Sequence, residues 1–209
     1  MFHRSGATEK VSETGDMGLV HGIVLAAGAG ARYGQPKALA RDADGRPWVA
    51  LAEQLLRGAG CQEVTVVLGA AVDAARKLVP PRAQAVVAED WASGLAASLR
   101  AGLRAAAASG SVAALVTLVD LPDLPVEVAL RVLEGGVSTE VLRQATFARR
   151  PGHPVLLGRD HWPALVAGLS GDRGARPYLL AHDVTEVECG DLSPGLDVDT
   201  PRSDSESGA

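Results

Sequence analysis

Four short apolar runs constrain this chain's fold more than any other feature: "HGIVLAA" (21–27), "EVTVVLG" (63–69), "AQAVVAE" (83–89) and "VAALVTLVD" (112–120). Each is continuously apolar rather than alternating, the pattern of a strand covered by protein on both faces. Between them, 47–59, 70–79 and 94–109 carry Ala- and Leu-rich helical patterns. The first has Pro47 near its start and ends at Gly58 or Gly60, and in the third Leu95, Leu99 and Leu103 form an apolar stripe. This βαβαβαβ alternation predicts an α/β fold with a mainly parallel central sheet and right-handed crossovers. The remainder reads as strands near 145–150, 153–157 and 184–188 and helices near 126–134, 159–168 and 173–182. Ligands of such sheets bind beyond the carboxyl ends of the strands.

The totals narrow the setting. A chain of 209 residues, 47% of them hydrophobic, suits one globular domain. That domain is expected at 21–202, after a flexible N-terminal extension (1–20) and before a disordered tail (203–209). A net charge of −5 argues against a nucleic-acid partner gripped through its phosphates. No apolar stretch nears the roughly 20 residues of a membrane span, and 1–20 contains no apolar run of a secretory signal. The two cysteines, Cys61 and Cys189, form no disulfide framework or metal pattern, so a cytoplasmic protein is expected.

The loop after the first run, "LAAGAGARYGQPK" (25–37), admits three phosphate-binding readings. A nucleoside triphosphatase loop ends in G-K-[ST], whereas here Gly34 is followed by Gln35, Pro36, Lys37 and Ala38, with no hydroxyl for magnesium. A dinucleotide loop needs an acid about 20 residues on, at the end of the second strand; that strand ends "VVLGA". The third reading is a loop that grips a nucleotide whose α-phosphate is attacked. It uses every residue: Gly28, Gly30 and Gly34 open backbone amides to phosphate oxygens, and Arg32 and Lys37 supply cations. Lysine occurs only at Lys10, Lys37 and Lys77, so its presence in this loop is informative.

The pattern L-A-A-G-x-G-x-R-x-G-x-x-K resembles the signature of the MobA-like nucleotidyltransferases, and specifically the CTP:molybdopterin cytidylyltransferase branch. The resemblance spans about 21–202 and implies a three-layer, Rossmann-like nucleotidyltransferase (GT-A-like) fold. It implies nucleotide contacts from Leu25, Ala26, Ala27, Gly28, Ala29, Gly30, Gly34, Gly69, Gly94 and Ser98, with Arg32, Lys37 and Asp120 catalytic. "LVDLPDLP" places Asp120 at a strand's carboxyl end, suited to Mg²⁺ (or Mn²⁺), and resembles the family's D-x-P, with Asp123 read as a helix cap. "GLDVDTP" resembles the family's C-terminal D-x-D-T-P. Asp197 and Asp199, two apart on an extended segment, face one way and complete the metal set, with Asp197 ranked first. "EDWASGLAASLRAGL" keeps the family's Trp91, Gly94, Ser98, Leu99 and Gly102 spacing but has Glu89 or Asp90 where Asn is usual. In "PGHPVLLG" and "GDRGARP", which resemble G-H-P-V-L-h-G and G-D-x-G-A-R, Gly152, His153, Asp172 and Arg176 are implied acceptor contacts. Tyr33, where relatives often have Met, has no assigned role.

These likenesses imply transfer of CMP from CTP to a phosphate of a molybdopterin-type acceptor, for delivery to a molybdoenzyme. L-A-A-G at 25–28 resembles the cytidylyl-transferring members, where guanylyl-transferring ones read L-A-G-G, and this resemblance implies CTP rather than GTP; the Ala27 methyl would fill room that a purine needs. Three alternatives stay open at this stage. One is a transferase using another acceptor such as methylerythritol phosphate. The others are a nicotinamide dinucleotide enzyme and a non-catalytic nucleotide-binding regulator.

Overall fold

The computed structural model describes residues 19–200. The expected tail at 203–209, and all but the last two residues of the expected extension, lie outside the described residues. Val20 already belongs to the first strand.

Seven strands form one sheet: β1 (Val20–Ala26), β2 (Glu63–Leu68), β3 (Gln84–Val87), β4 (Ala113–Leu118), β5 (Leu142–Phe147), β6 (Arg150–Gly158) and β7 (Thr185–Glu188), in the order β3-β2-β1-β4-β6-β5-β7. β1 to β4 pair in parallel, as their continuous apolar runs predict. β6 is antiparallel to both β4 and β5, and β7 pairs in parallel with β5. The sheet is thus mainly parallel with one reversed strand.

Among the described residues six α-helices cover it: α1 (Trp48–Gly58), α2 (Val72–Arg76), α3 (Leu95–Ala107), α4 (Val126–Leu133), α5 (Trp162–Gly168) and α6 (Arg176–Ala181). Alternate residues of β1 serve opposite cores. Val24 and Ala26 pack with α1 and α4, whereas Ile23, Leu25 and Ala27 pack with Leu99 and Leu103 of α3 and with Trp162 and Leu165 of α5. This is a three-layer αβα sandwich, and it is why the strands are apolar on both faces.

Several boundaries differ from expectation. The expected strands at 145–150 and 153–157 form a hairpin whose turn is Ala148–Arg149. Both turn residues have positive φ, 49° and 64°, although neither is Gly, Asn or Asp. The distant Glu188 carboxylate supports them, accepting the backbone N–H groups of Ala148 (2.9 Å) and Arg149 (3.1 Å) and the Thr146 hydroxyl (3.0 Å). The helix expected at 70–79 has only five residues, because Ala71 enters it at φ 54° and its sequence carries no N-cap side chain. The helix expected at 173–182 begins at Arg176, after a separate 3-10 turn at Gly171–Arg173 that Gly174, at φ +53°, ends.

Candidate active site

A cleft of about 470 Å³ opens at the carboxyl ends of the adjacent strands β1 and β4. The chain leaves β1 through Ala27 and turns sharply at Gly30, whose φ is +62°. A side chain at Gly30 would collide with the carbonyl oxygen of Gln35, where the loop folds back. The Gly34 amide closes that turn on the Gly30 carbonyl at 2.9 Å. Pro36 then leads into a 3-10 turn, Lys37–Leu39, whose Ala38 is buried. Tyr33 packs on Trp48 at the start of α1, ring centroids 5.2 Å apart, and so ties the loop to the core. Gly30→Ala is expected to cost at least the roughly 1–2 kcal/mol of a left-handed residue. It should also lower turnover more than tenfold by displacing Arg32 and Lys37. Thermal melting and a turnover assay check this.

Lys37 is the centre of the site. Its ammonium donates to Asp120 Oδ2 and to Asp199 Oδ1, both at 2.8 Å, while Arg32 reaches Asp199 Oδ2 at 3.0 Å. Burial works against the Lys37 charge, but the hydrogen bonds to Asp120 and Asp199 outweigh it and raise its pKa above the ordinary value. The hydrogen bond from Lys37, and then the Lys37 charge itself, hold the Asp199 carboxyl below its usual range. The Arg32 side chain is 82% exposed, so its pair with Asp199 contributes little to stability and leaves the guanidinium able to swing.

Asp120 follows β4, positioned by the Val119 amide, which bonds the Leu25 carbonyl at 3.1 Å. A C-terminal strap supplies the other acids. The Val198 amide bonds the Asp120 carbonyl at 3.0 Å, and Gly195 lies so close to the Phe147 ring that a side chain would not fit. One carboxylate oxygen each from Asp120, Asp197 and Asp199 lie within 4.8 Å of one another. Asp120 Oδ1 is buried with no hydrogen-bond partner. A carboxylate with one oxygen buried and unpartnered, clustered with two further acids, fits a divalent cation. Asp199 takes both cationic partners, whereas Asp197, ranked first from the sequence, is the exposed member.

The other expected residues divide. Leu25 through Gly30, Gly94 and Ser98 line the cleft with Arg32, Lys37, Asp120 and Asp199. Gly34 and Gly69 are outside the lining. Gly69 instead seats Trp91, since an ideal Cβ there would come within 2.6 Å of the ring. Asp172, expected among the acceptor contacts, lines this same cleft. Gly152 packs on the Phe147 ring. His153 keeps some surface, yet burial pushes its imidazole down to about 4 against the pull of Asp197, so it is neutral at physiological pH. Arg176 is exposed at the first turn of α6.

The family described as the MobA-like NTP transferase domain matches residues 22–186. The chain belongs to the MobA-like NTP transferase family. It is 40% identical over 197 residues to nicotine blue oxidoreductase of Paenarthrobacter nicotinovorans, covering 88% of this chain and 94% of that protein. Rv0371c from Mycobacterium tuberculosis H37Rv superposes with a TM-score of 0.74 at 29% identity, covering 88% of this chain and 94% of that one. The manganese complex of Rv0371c matches with a TM-score of 0.67 at 27% identity, covering 82% and 88%. A nucleotidyl transferase from Methanothermobacter thermautotroptrophicus shares the fold, with a TM-score of 0.72 at 21% identity over 87% and 92% of the two chains.

The protein is therefore a nucleotidyltransferase of the MobA-like family, as the β1 loop and Asp120 implied. In this MobA-like domain the cleft wall also includes Trp91, Leu95, Leu118 and Val119, none of them among the expected contacts. Trp91 had a signal, because it lies three residues before Gly94 in a motif that the sequence preserves. Leu118 and Val119 had none, since in sequence they are core residues of a strand. Among the described residues no helix is long and apolar enough to cross a membrane.

Proposed function

We propose that this chain transfers CMP from CTP to a phosphate of a molybdopterin-type acceptor and releases pyrophosphate. The observation that carries the reading is the Lys37–Asp120–Asp199 cluster, with Arg32 beside it, at the mouth of a glycine-turned loop. The triphosphate lies against the open amides of Gly28–Ala31, with Arg32 and Lys37 neutralising its charge. An oxygen of the acceptor phosphate attacks the α-phosphorus, and the bond to the departing pyrophosphate breaks. The nucleophile is already anionic, so no activating Ser–His or Cys–His pair is needed. Rate acceleration comes from positioning and from fixed charge aimed at the reacting phosphates.

Asp120, Asp197 and Asp199 would hold Mg²⁺, with Mn²⁺ the alternative in view of the Rv0371c complex. Such an ion supplies Lewis-acid charge to phosphate oxygens. His153, neutral and electrostatically coupled to Asp197, is an acceptor contact in this reading, together with Gly152 and Arg176. Its neutrality suits a hydrogen bond rather than a charge clamp. A molybdoenzyme would receive the product.

The base preference rests on Ala27, which is buried and lines the cleft. Ala27→Gly is expected to narrow the preference for CTP over GTP by roughly tenfold, the order of discrimination one methyl provides. Competition between the two nucleotides measures it. A wild-type enzyme that prefers GTP would contradict the assignment.

A second reading is favoured by the 40% identity to a protein named as an oxidoreductase. In it the same cleft binds a reduced nicotinamide nucleotide and passes hydride to an oxidised organic acceptor. The absence of an acid at the end of β2, where the chain runs Leu68-Gly69-Ala70, weighs against it, as does the clustering of three carboxylates. The deciding experiment measures pyrophosphate release with each nucleoside triphosphate, with and without molybdopterin, beside oxidation of NADPH with an oxidised organic acceptor. Release with CTP and molybdopterin supports the first reading; NADPH oxidation alone supports the second.

A further inference from the structure

Asp172 sits where a carboxylate is unwelcome for phosphate. It lines the same cleft as the β1 loop, Lys37 and Asp120. The backbone puts it there. The 3-10 turn Gly171–Arg173 begins at a glycine of positive φ, Gly171 at +59°, and is ended by another, Gly174 at +53°. That turn rests on the entry to α3 at Gly94, whose own φ is +112°. An ideal Cβ on Gly94 would come within 2.5 Å of Asp172 Oδ1 and 2.6 Å of the Gly171 carbonyl carbon. Any other residue at 94 would therefore be strained and would push the turn away.

We propose that Asp172 reads the sugar of the bound nucleotide, its carboxylate accepting a hydrogen bond from a ribose hydroxyl at the lip of the cleft. The inference rests on the nucleotidyl-transfer reading above and deepens it. An ionised carboxylate only accepts hydrogen bonds and repels phosphate. The two cations in the cleft lining pair with other acids, Lys37 with Asp120 and Asp199 and Arg32 with Asp199, and neither pairs with Asp172. Among the described residues, Asp172 itself has no ion-pair or hydrogen-bond partner. A nucleoside triphosphate offers it two kinds of donor, the ribose hydroxyls and an amino group on the base. Depth separates them. Leu25, Ala27 and Ser98 line the cleft while being only 5%, 2% and 5% exposed, whereas Asp172 is exposed. A flat base takes the buried wall, and the sugar faces the lip.

The test is equilibrium binding of CTP, 2′-deoxy-CTP, 3′-deoxy-CTP and UTP to the full chain and to Asp172→Ala and Asp172→Asn, by calorimetry with Mn²⁺ present. The wild-type chain is expected to bind CTP about tenfold or more tightly than one of the deoxy analogues, the worth of a hydrogen bond to a charged group. Asp172→Ala should weaken CTP and UTP by that same factor and leave the deoxy analogue's affinity unchanged. This invariance also shows that the cleft is intact. Asp172→Asn, which keeps one acceptor oxygen, should restore part of the discrimination. Equal binding of CTP and both deoxy analogues by the wild-type chain overturns the proposal. So does uniform weakening of all four ligands in Asp172→Ala, and so does a change confined to CTP against UTP, which would move Asp172 to the base. Failure of the wild-type chain to bind any of the nucleotides overturns the nucleotidyl-transfer reading as well.

Discussion

Lys37→Ala is expected to lower turnover by roughly 10²–10³-fold or more, the loss typical of deleting a donor aimed at developing charge. The structure adds a second effect. The Lys37 and Asp120 side chains are only 13% and 16% exposed, and Lys37 is the cation that bridges Asp120 to Asp199. Without it, three carboxylates cluster beside the exposed Arg32. A buried hydrogen-bonded group that loses its partner costs about 1–3 kcal/mol. The melting temperature of Lys37→Ala should therefore fall by a few degrees, and millimolar Mg²⁺ or Mn²⁺ should recover more stability than it adds to the wild-type chain. Calorimetry with and without the ion reads the difference, and a pyrophosphate assay reads turnover. Near-normal turnover would remove Lys37 from the chemistry. Loss of turnover without metal-dependent recovery would mean that the three acids do not form a cation site.

Asp120→Asn is expected to match that loss of turnover through the opposite charge. The substitution keeps size and shape, and the amide oxygen can still accept from Lys37, so the fold should persist. It removes the charge from the one acid whose second oxygen is buried without a partner. Affinity for Mn²⁺, measured on the protein without nucleotide, should fall by tenfold or more, as expected when a charged ligand becomes neutral. Asp197→Asn should weaken it less, because Asp197 is the exposed member and pairs with neither Lys37 nor Arg32. Unchanged Mn²⁺ affinity in Asp120→Asn would place the cation elsewhere.

The parts of the fold that were legible in sequence are those specified by local pattern. β1 to β4 are continuous apolar runs because helices cover both faces of the sheet, so their existence could be read directly. The hairpin of β5 and β6 was misplaced by about three residues for a physical reason. Its turn, Ala148–Arg149, holds two non-glycine residues at positive φ, and its support is a carboxylate some forty positions later. No local window contains both. The helix expected from 173 likewise ran into the end of the short 3-10 turn at Gly171–Arg173, although Gly171 at its start and Gly174 after it mark its limits.

For the site, the sequence alone determined the chemical types and their order along the chain: a glycine-turned loop with Arg32 and Lys37, a carboxylate after β4, and a pair of acids near the C-terminus. Those follow from residue identity and spacing, which are local. Only the tertiary structure decided which acid meets which cation. The strap is fastened to Asp120 by the Val198 amide and pressed on Phe147 at Gly195, and this registry delivers Asp199 to Lys37 and Arg32. It also decided that Asp172, from a separate motif, shares the cleft of the β1 loop. Such choices depend on contacts between residues 83 to 167 positions apart, and side-chain spacing along the chain carries no information about them.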